Sequence, residues 1–410
     1  MSFGFTCALT LQPSREGIMK KALIALSFGG LTIGITEFVM MGLLPDIAAD
    51  LSVSIPKAGY LISGYALGVV IGAPTLVLMA RNYPPKKTLL LLAAMLTVFN
   101  ALSILAPNFE ILFLSRLLSG LPHGAFFGVG AVVASRLATK GKEAQAISIM
   151  FAGLTLANLI GVPIGTYIGH EFSWRYSFAL VAVIGMITFI ALTFWMPVLA
   201  ANNRESIKSQ LAFFTRINAW YIILITAIGF GGLFCWISYI APLLTKISGF
   251  SPESVSTILI LAGFGMVVGN FLGAKLADRY SPATTILVLL LAMALDLTLV
   301  LFASSDQWIS LVLVFFTGCI SFAVVAPIQM LMIQTAVGAE MIASAALQAS
   351  FNIGNALGAF LGGIPLVMGY DFTSPNFVGL LMALTGAAIT TGLILRMKKS
   401  KVEAVSGSRS

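Results

Sequence analysis

Twelve stretches of about twenty apolar residues, separated by short polar punctuation, decide what this chain of 410 residues can become. A helix that crosses roughly 30 Å of hydrocarbon needs about 20 apolar residues. Runs of that length lie at 22–44, 58–80, 88–106, 110–135, 145–168, 176–197, 218–244, 255–275, 284–303, 308–335, 341–368 and 376–396. They lack the period-two alternation of a membrane barrel, so the expected class is an all-α polytopic membrane protein. Composition agrees. Apolar residues make up 59% and charged residues 9%, against about 45–50% and 25% in soluble domains. So few charges cannot cover a water-facing surface, which excludes a cytosolic enzyme, a disordered chain and a secreted disulfide scaffold. Cys7, Cys235 and Cys319 are too scattered for a metal site or a disulfide framework. No metal and no cofactor is expected.

Lys and Arg set the orientation, because cytoplasmic loops carry the excess of positive charge. With the N-terminus inside, nineteen of the 23 basic residues fall in inside segments and only Lys57, Arg175 and Lys246 outside. Both termini are therefore expected in the cytoplasm. The net charge of +8 reads as topology and contact with membrane lipids, not as a nucleic-acid footprint. The basic Met19-Lys20-Lys21 run leads into a span longer than the apolar core of a cleaved signal. The polar tail from Ser400 to Ser410 is expected to be disordered.

The longest polar interruption, 199–216, follows the sixth run. The expected organisation is a tail over 1–21, a six-helix bundle over 22–198, a cytoplasmic linker over 199–216, a second bundle over 217–397 and a tail over 398–410. The two bundles are related in sequence. At an offset of 198, Arg81 meets Arg279, Pro84 meets Pro282 and Gly120 meets Gly318; at 197, Asn158, Gly161 and Gly165 meet Asn355, Gly358 and Gly362. Repeated halves that hold a solute near midplane are a transporter plan.

Each charge at membrane depth needs a reason, since it costs about 2.5–3.5 kcal/mol on the insertion scale. Helix interiors hold Glu37, Arg116, His123 and Asp296. Glu37 lies about four residues, or ~6 Å, outside the centre of helix 1. It is a candidate proton carrier or a carboxyl bonded to nearby hydroxyls. Arg116 and His123 are seven residues apart and share one face of helix 4. An arginine keeps its charge and must find a partner. Glu37, at similar depth, is the expected one, with a brace to backbone carbonyls as the alternative. His123 is a proton relay, a ligand of the solute or a neutral packed ring. The second half has Cys235, Val314 and Ser321 near the matching places, so proton chemistry is expected in the first half alone. Asp296 sits on a helix expected at the periphery, in a packing or snorkelling role.

Several segments resemble the major facilitator superfamily, from about residue 20 to 397, and within it the twelve-helix drug:proton antiporters, most of all the arabinose- and sugar-efflux permeases. Gly273-Ala274-Lys275-Leu276-Ala277-Asp278-Arg279 resembles the superfamily loop motif G-x-L-A-D-R. The loop after helix 2 keeps Arg81, Lys86 and Lys87 but has Ala80 in place of the acid. Arg116-Leu117-Leu118-Ser119-Gly120 resembles the R-x-x-x-G motif tied to proton transfer. Gly153 with Gly161-Val162-Pro163-Ile164-Gly165 resembles the antiporter motif of helix 5. Thr36-Glu37-Phe38, running to Pro45, and Trp174-Arg175 resemble signatures of the efflux permeases.

The resemblance implies the major facilitator fold: twelve transmembrane helices in two pseudo-symmetric six-helix bundles in the bacterial inner membrane. It implies an exporter that exchanges a small molecule, such as a sugar, nucleoside or drug, for protons by alternating access, working as a monomer. Glu37, Arg116 and His123 are then the coupling residues, and Arg81, Asp278, Arg279, Gly161, Pro163 and Gly165 the conformational gate. Asn158, Trp236, Tyr239, Gln329, Gln348, Asn352 and Asn355 are candidates for the solute cavity, because polar groups at lipid depth face a cavity or a partner. A facilitator or proton symporter on the same fold is the alternative. An enzyme is not expected: no H-E-x-x-H, Cys/His cluster or phosphate-binding G-x-x-x-x-G-K occurs.

Overall fold

The computed structural model describes residues 15–53, 55–200, 212–251 and 254–407. Among these, twelve helices are long and apolar enough to cross a membrane. They are α1 (Glu16–Asp50), α2 (Lys57–Ala80), α3 (Pro85–Ile104), α4 (Phe109–Leu137), α5 (Glu143–Glu171), α6 (Trp174–Trp195), α7 (Ile217–Ile237), α8 (Val255–Arg279), α9 (Pro282–Ala303), α10 (Gln307–Thr335), α11 (Glu340–Val367) and α12 (Ser374–Lys399). Two bounds depart from expectation. The first helix starts about six residues earlier and ends six later than its apolar run. The last helix continues to Gly407, so the tail is helical where disorder was expected, up to the limit of the described residues. Cys7, Arg204, Lys208 and Arg409 lie outside those residues.

Three prolines inside spans, Pro163, Pro242 and Pro327, coincide with departures from the regular ladder, while Pro45, Pro74, Pro122 and Pro365 sit in continuous helices. A proline lacks the N–H and its ring collides with the carbonyl four residues back. Pro163 follows a π turn over Ala157–Gly161 in α5. Pro327 follows the break at Val324 in α10. Pro242 follows the break at Ser238 and Tyr239, beyond which α7 runs on as a π turn, Leu243–Ile247. A further π turn, Ile225–Phe230, lies inside α7, which the sequence presents as one uninterrupted run.

The two halves are built alike. In the first, α2 packs on α4, α1 on α5 and α3 on α6. In the second, α8 packs on α10, α7 on α11 and α9 on α12. Glycine makes the tightest of these seams possible. A Cβ at Gly120 would collide with the carbonyl oxygen of Tyr65, and one at Gly318 with that of Ala262. The loops repeat too. Gly141 and Gly338, 197 apart, both adopt positive φ, +82° and +83°, and each donates its N–H to the glutamate two residues on, Glu143 (3.1 Å) and Glu340 (3.0 Å).

The halves meet through α5 on α8, α2 and α4 on α11, and α5 on α10. Their contact is uneven along the bundle axis. On α11 every residue from Ile342 to Gln348 is buried; beyond Ser350 only Gly354, Gly358 and Gly362 are. The halves are therefore closed at the end that carries the termini, called the base below, and less so towards the opposite mouth.

Glycine-mediated contact makes a direct prediction. A methyl at Gly153 of α5 would collide with the carbonyl oxygen of Ser27 in α1. Overpacking costs about 1–3 kcal/mol when neighbours can shift, and backbone shifts least. Gly153→Ala should lower the thermal unfolding temperature of the purified protein or prevent its isolation as a monodisperse species.

Candidate functional site

The first cluster stands where α1, α2, α3 and α4 meet. Arg116 is fully buried. Its Nη1 donates to Thr36 Oγ1 at 3.0 Å. Thr36 donates in turn to Asn100 Oδ1 at 2.5 Å, and Asn100 Nδ2 donates to the carbonyl of Leu96 at 2.8 Å. The guanidinium carbon lies 4.4 Å from the centroid of the Tyr65 ring and 5.6 Å from that of Phe178, where the ring quadrupole attracts it. The opposite edge is different. Nε and Nη2 are buried and have no hydrogen-bond partner.

The expected ion pair between Glu37 and Arg116 is not formed within 4.0 Å. The residue before Glu37, Thr36, takes Nη1 instead. Glu37 is half-buried and within electrostatic range of both Arg116 and Tyr65. A carboxylate acceptor and an empty guanidinium edge thus stand close without touching.

His123, two turns further along α4, is 4% exposed. Its Nδ1 shares a 3.0 Å hydrogen bond with the Tyr65 hydroxyl, and its ring meets the edge of Phe127 at 5.4 Å. Tyr65 therefore joins the two residues that sequence places on one face: its ring covers Arg116 and its hydroxyl holds His123. Sequence reasoning passed over Tyr65, Thr36 and Asn100. The signal for Asn100 was available, since a carboxamide in an apolar span needs a partner. Tyr65 carries no such mark, because tyrosine is at home in a packed interior.

The solute-cavity candidates separate into two groups. Gln329 and Gln348 are buried, 0% and 3% exposed. Gln329 Nε2 donates to Ser344 Oγ at 2.7 Å and Gln348 Nε2 to Gln329 Oε1 at 3.2 Å. This network sits on the seam between the halves, where Gly124 of α4 faces Gln348. Trp236 is also buried, at 1%, packed within the α7 region. Asn158, Tyr239, Asn352 and Asn355 remain partly open. Three of these already hold a backbone carbonyl, those of Leu154, Ala359 and Gln348 respectively for Asn158, Tyr239 and Asn352.

At the base, one carboxylate spans the two halves. Asp278, at the end of α8, accepts the backbone N–H of Ala144 on Oδ1 and of Gln145 on Oδ2, both at 2.9 Å. These are the second and third residues of α5, whose first amides have no partner inside the helix and whose dipole favours an anion. Nearby, Asn270 Nδ2 of α8 donates to the carbonyl of Ser148 in α5 at 2.7 Å. The other gate candidates act locally. Arg81 donates to the carbonyl of Leu78 at 3.0 Å, and Arg279 lies 5.5 Å from the Tyr280 ring. Gly161 and Gly165 press on Ile35 and Val39 of α1, with Pro163 between them.

Of the two roles expected for Asp296, the geometry fits packing and not snorkelling. Its helix is peripheral, with Leu291, Leu295 and Phe302 exposed, but Asp296 itself is 5% exposed. It meets the hydroxyl of Thr317 in α10 at 2.6 Å. A carboxyl turned inward between two helices does not snorkel.

Comparison with known proteins places this arrangement. The model of the Major Facilitator Superfamily matches residues 26–362. The chain belongs to the Major Facilitator Superfamily. The inner membrane transport protein YdhP of Escherichia coli strain K12 is 40% identical over 386 residues, covering 94% of this chain and 98% of that protein. A protein of Helicobacter pylori strain HPAG1, described as a probable sugar efflux transporter, is 30% identical over 368 residues, covering 89% and 93%. Among solved structures, the superfamily transporter FucP, in its outward conformation, superposes with a TM-score of 0.75 at 12% identity, over 91% of this chain and 98% of that one. The likeness to FucP is one of fold. The chain is a superfamily transporter built to sit in a membrane.

Two predictions follow from the geometry. Tyr65→Phe removes one hydrogen bond and keeps the ring over Arg116, so it should cost about 0.5–1.5 kcal/mol of stability. Tyr65→Leu also removes the ring and should cost more, by about 0.5–2 kcal/mol; thermal unfolding of the two variants measures the order. Asp278→Ala removes the cap that joins the halves and should loosen the base by about 1–2 kcal/mol. A cysteine placed at Ser148 would then react several times faster with a thiol reagent applied from the base side.

Proposed function

We propose that this superfamily transporter exports a small neutral solute, of the sugar, nucleoside or drug class, in exchange for protons. The observation that carries this reading is the empty Nε and Nη2 edge of Arg116 beside Glu37. That edge is the face of a guanidinium that accepts a carboxylate through two parallel N–H···O bonds. When Glu37 is ionised it docks there and the buried cation is matched. When Glu37 takes a proton from water at the mouth, the pair separates, as in the arrangement described here, and the proton travels on the carboxyl. His123 and Tyr65 hold the same face of α4 in register with this exchange.

Alternating access supplies the direction. The two bundles, 22–198 and 217–397, rock against each other about the α5–α8 and α2–α11 seams. The base is closed by Asp278 on the first turn of α5 and by the Gln329–Gln348 network, which supports reading this arrangement as the state open towards the mouth. Opening the base uncaps α5 and exposes that network to the other side. Solute and proton are then exchanged because Glu37 re-pairs with Arg116 only after its proton leaves. The partly open groups Asn158, Asn352 and Asn355 are neutral carboxamides, suited to a solute rich in hydroxyl or amide groups. The Helicobacter relative, described as a probable sugar efflux transporter, supports the same class.

The excess of Lys and Arg at the base supports a cytoplasmic position for both termini. The name of the Escherichia coli relative supports the inner membrane of a bacterium. One chain holds every residue invoked, so the monomer is the working unit, with lipids and protons as its other partners.

Proteoliposomes test the coupling. Wild-type protein should move a solute identified by thermal shift against its gradient when a pH gradient is imposed. Glu37→Gln should lose that uphill flux and keep solute counterflow. Unchanged uphill flux in Glu37→Gln, or wild-type accumulation that survives collapse of the pH gradient, would sink proton antiport and leave a facilitator.

A further inference from the structure

One buried carboxyl takes no part in the cluster around Arg116. Asp296 lies midway along α9 and is 5% exposed. Thr317 Oγ1 of α10 is 2.6 Å from Asp296 Oδ2 and 2.7 Å from the carbonyl oxygen of Leu313. Both distances are those of O–H···O hydrogen bonds. A threonine hydroxyl, however, carries a single hydrogen, and neither a carbonyl nor an ionised carboxylate has one to offer. With Asp296 ionised, that one hydrogen has to be shared between two acceptors at 2.6 and 2.7 Å, and neither bond is well made. With Asp296 as a carboxylic acid, both contacts are satisfied in series. The Asp296 O–H donates to Thr317 Oγ1, and the Thr317 O–H donates to the Leu313 carbonyl.

The surroundings agree with a neutral group. A buried carboxylate needs a cation or several N–H donors, and among the described residues no ion pair reaches Asp296. The helices packed on α9 are α8, α10 and α12. Among their described titratable groups, Cys319 on α10 lies within electrostatic range of Asp296, and a thiol cannot replace a cation. A carboxyl in this position behaves as an extra hydrogen-bond donor between two helices.

We infer that Asp296 is a permanently occupied proton site, a neutral carboxylic acid that clasps α9 to α10. Its proton stays in place through the transport cycle, so the mobile proton of the coupling reading belongs to Glu37 alone. The second statement rests on the proposed antiport; the first does not.

Infrared difference spectroscopy of the purified full chain tests the first statement. The spectrum of wild type minus Asp296→Asn should contain the carbonyl stretch of an un-ionised carboxyl, unchanged between neutral and mildly alkaline pH. If the substitution removes a carboxylate band instead, the inference is overturned. Should Asp296→Asn not fold, Thr317→Val decides, because an un-ionised carboxyl that loses its acceptor shifts its carbonyl band to higher frequency, whereas an ionised one shows no such band. The second statement is tested in proteoliposomes. The asparagine side chain still donates N–H to Thr317, so Asp296→Asn should keep wild-type thermal stability and wild-type uphill flux, while Asp296→Ala loses stability. Lost uphill flux with intact counterflow in Asp296→Asn would place this proton in the cycle. A failure of antiport itself shows in Glu37→Gln and leaves the infrared result untouched.

Discussion

Hydrocarbon offers no partner to a backbone N–H or C=O, and the rest of this structure follows from that constraint. Each span must close its hydrogen bonds internally, so each is a helix. Lipid is as apolar as leucine, so helices gain little by hiding leucine from it and associate through close packing and a few polar links. Gly120 on Tyr65, Gly318 on Ala262 and Gly153 on Ser27 show the first means. The Arg116–Thr36–Asn100 chain, the Gln348–Gln329–Ser344 chain and the Asp296–Thr317 contact show the second. At Pro163, Pro242 and Pro327 the ladder relaxes into a π turn or a break, and those places lie on helices that form the seam between the halves or flank it.

The same constraint explains why so much rests on helix ends. The first amides of α5 are open donors at the closed end of the bundle, and Asp278 from the other half accepts two of them. The repeat predicts a twin of this contact between α2 and the first turn of α11. That twin lacks its acid, because Ala80 stands at the position matching Asp278. The loops that precede α5 and α11 are otherwise alike, down to the left-handed glycine and its glutamate. The base is thus held by one carboxylate latch, on one side of a pseudo-symmetric molecule. Asymmetry of the same kind marks the centre, where Glu37, Arg116 and His123 belong to one half and the other half has neutral residues.

Much of this was legible in the sequence. Twelve apolar runs gave twelve helices, because span length and hydrocarbon thickness leave little freedom. The shared glycine and asparagine spacing announced two related halves, because close approach tolerates few residue types. Arg116 and His123 were assigned to one face by spacing alone, and they share it through Tyr65. The length of the first and last helices was not legible, since polar residues beyond the membrane extend a helix without any apolar signal. The interruptions in α7 were not legible either; a proline marks a possible break but neither its position nor the π turn over Ile225–Phe230.

Sequence by itself determined the class, the helix count and the short list of buried charges, because each follows from transfer of groups between water and hydrocarbon, which depends on residue type and local order. Tertiary structure alone decided what each charge touches. Glu37 and Arg116 are at like depth, yet Thr36 holds the arginine and leaves one edge of it empty. Asp296 lies on a lipid-facing helix, yet the rotation of that helix turns it inward to Thr317. Asp278 reads as a gate acid at a helix end, and the fold supplies its partners, two amides of a helix in the opposite half. Such pairings depend on helix rotation and on register between segments more than a hundred residues apart, and no local pattern encodes either.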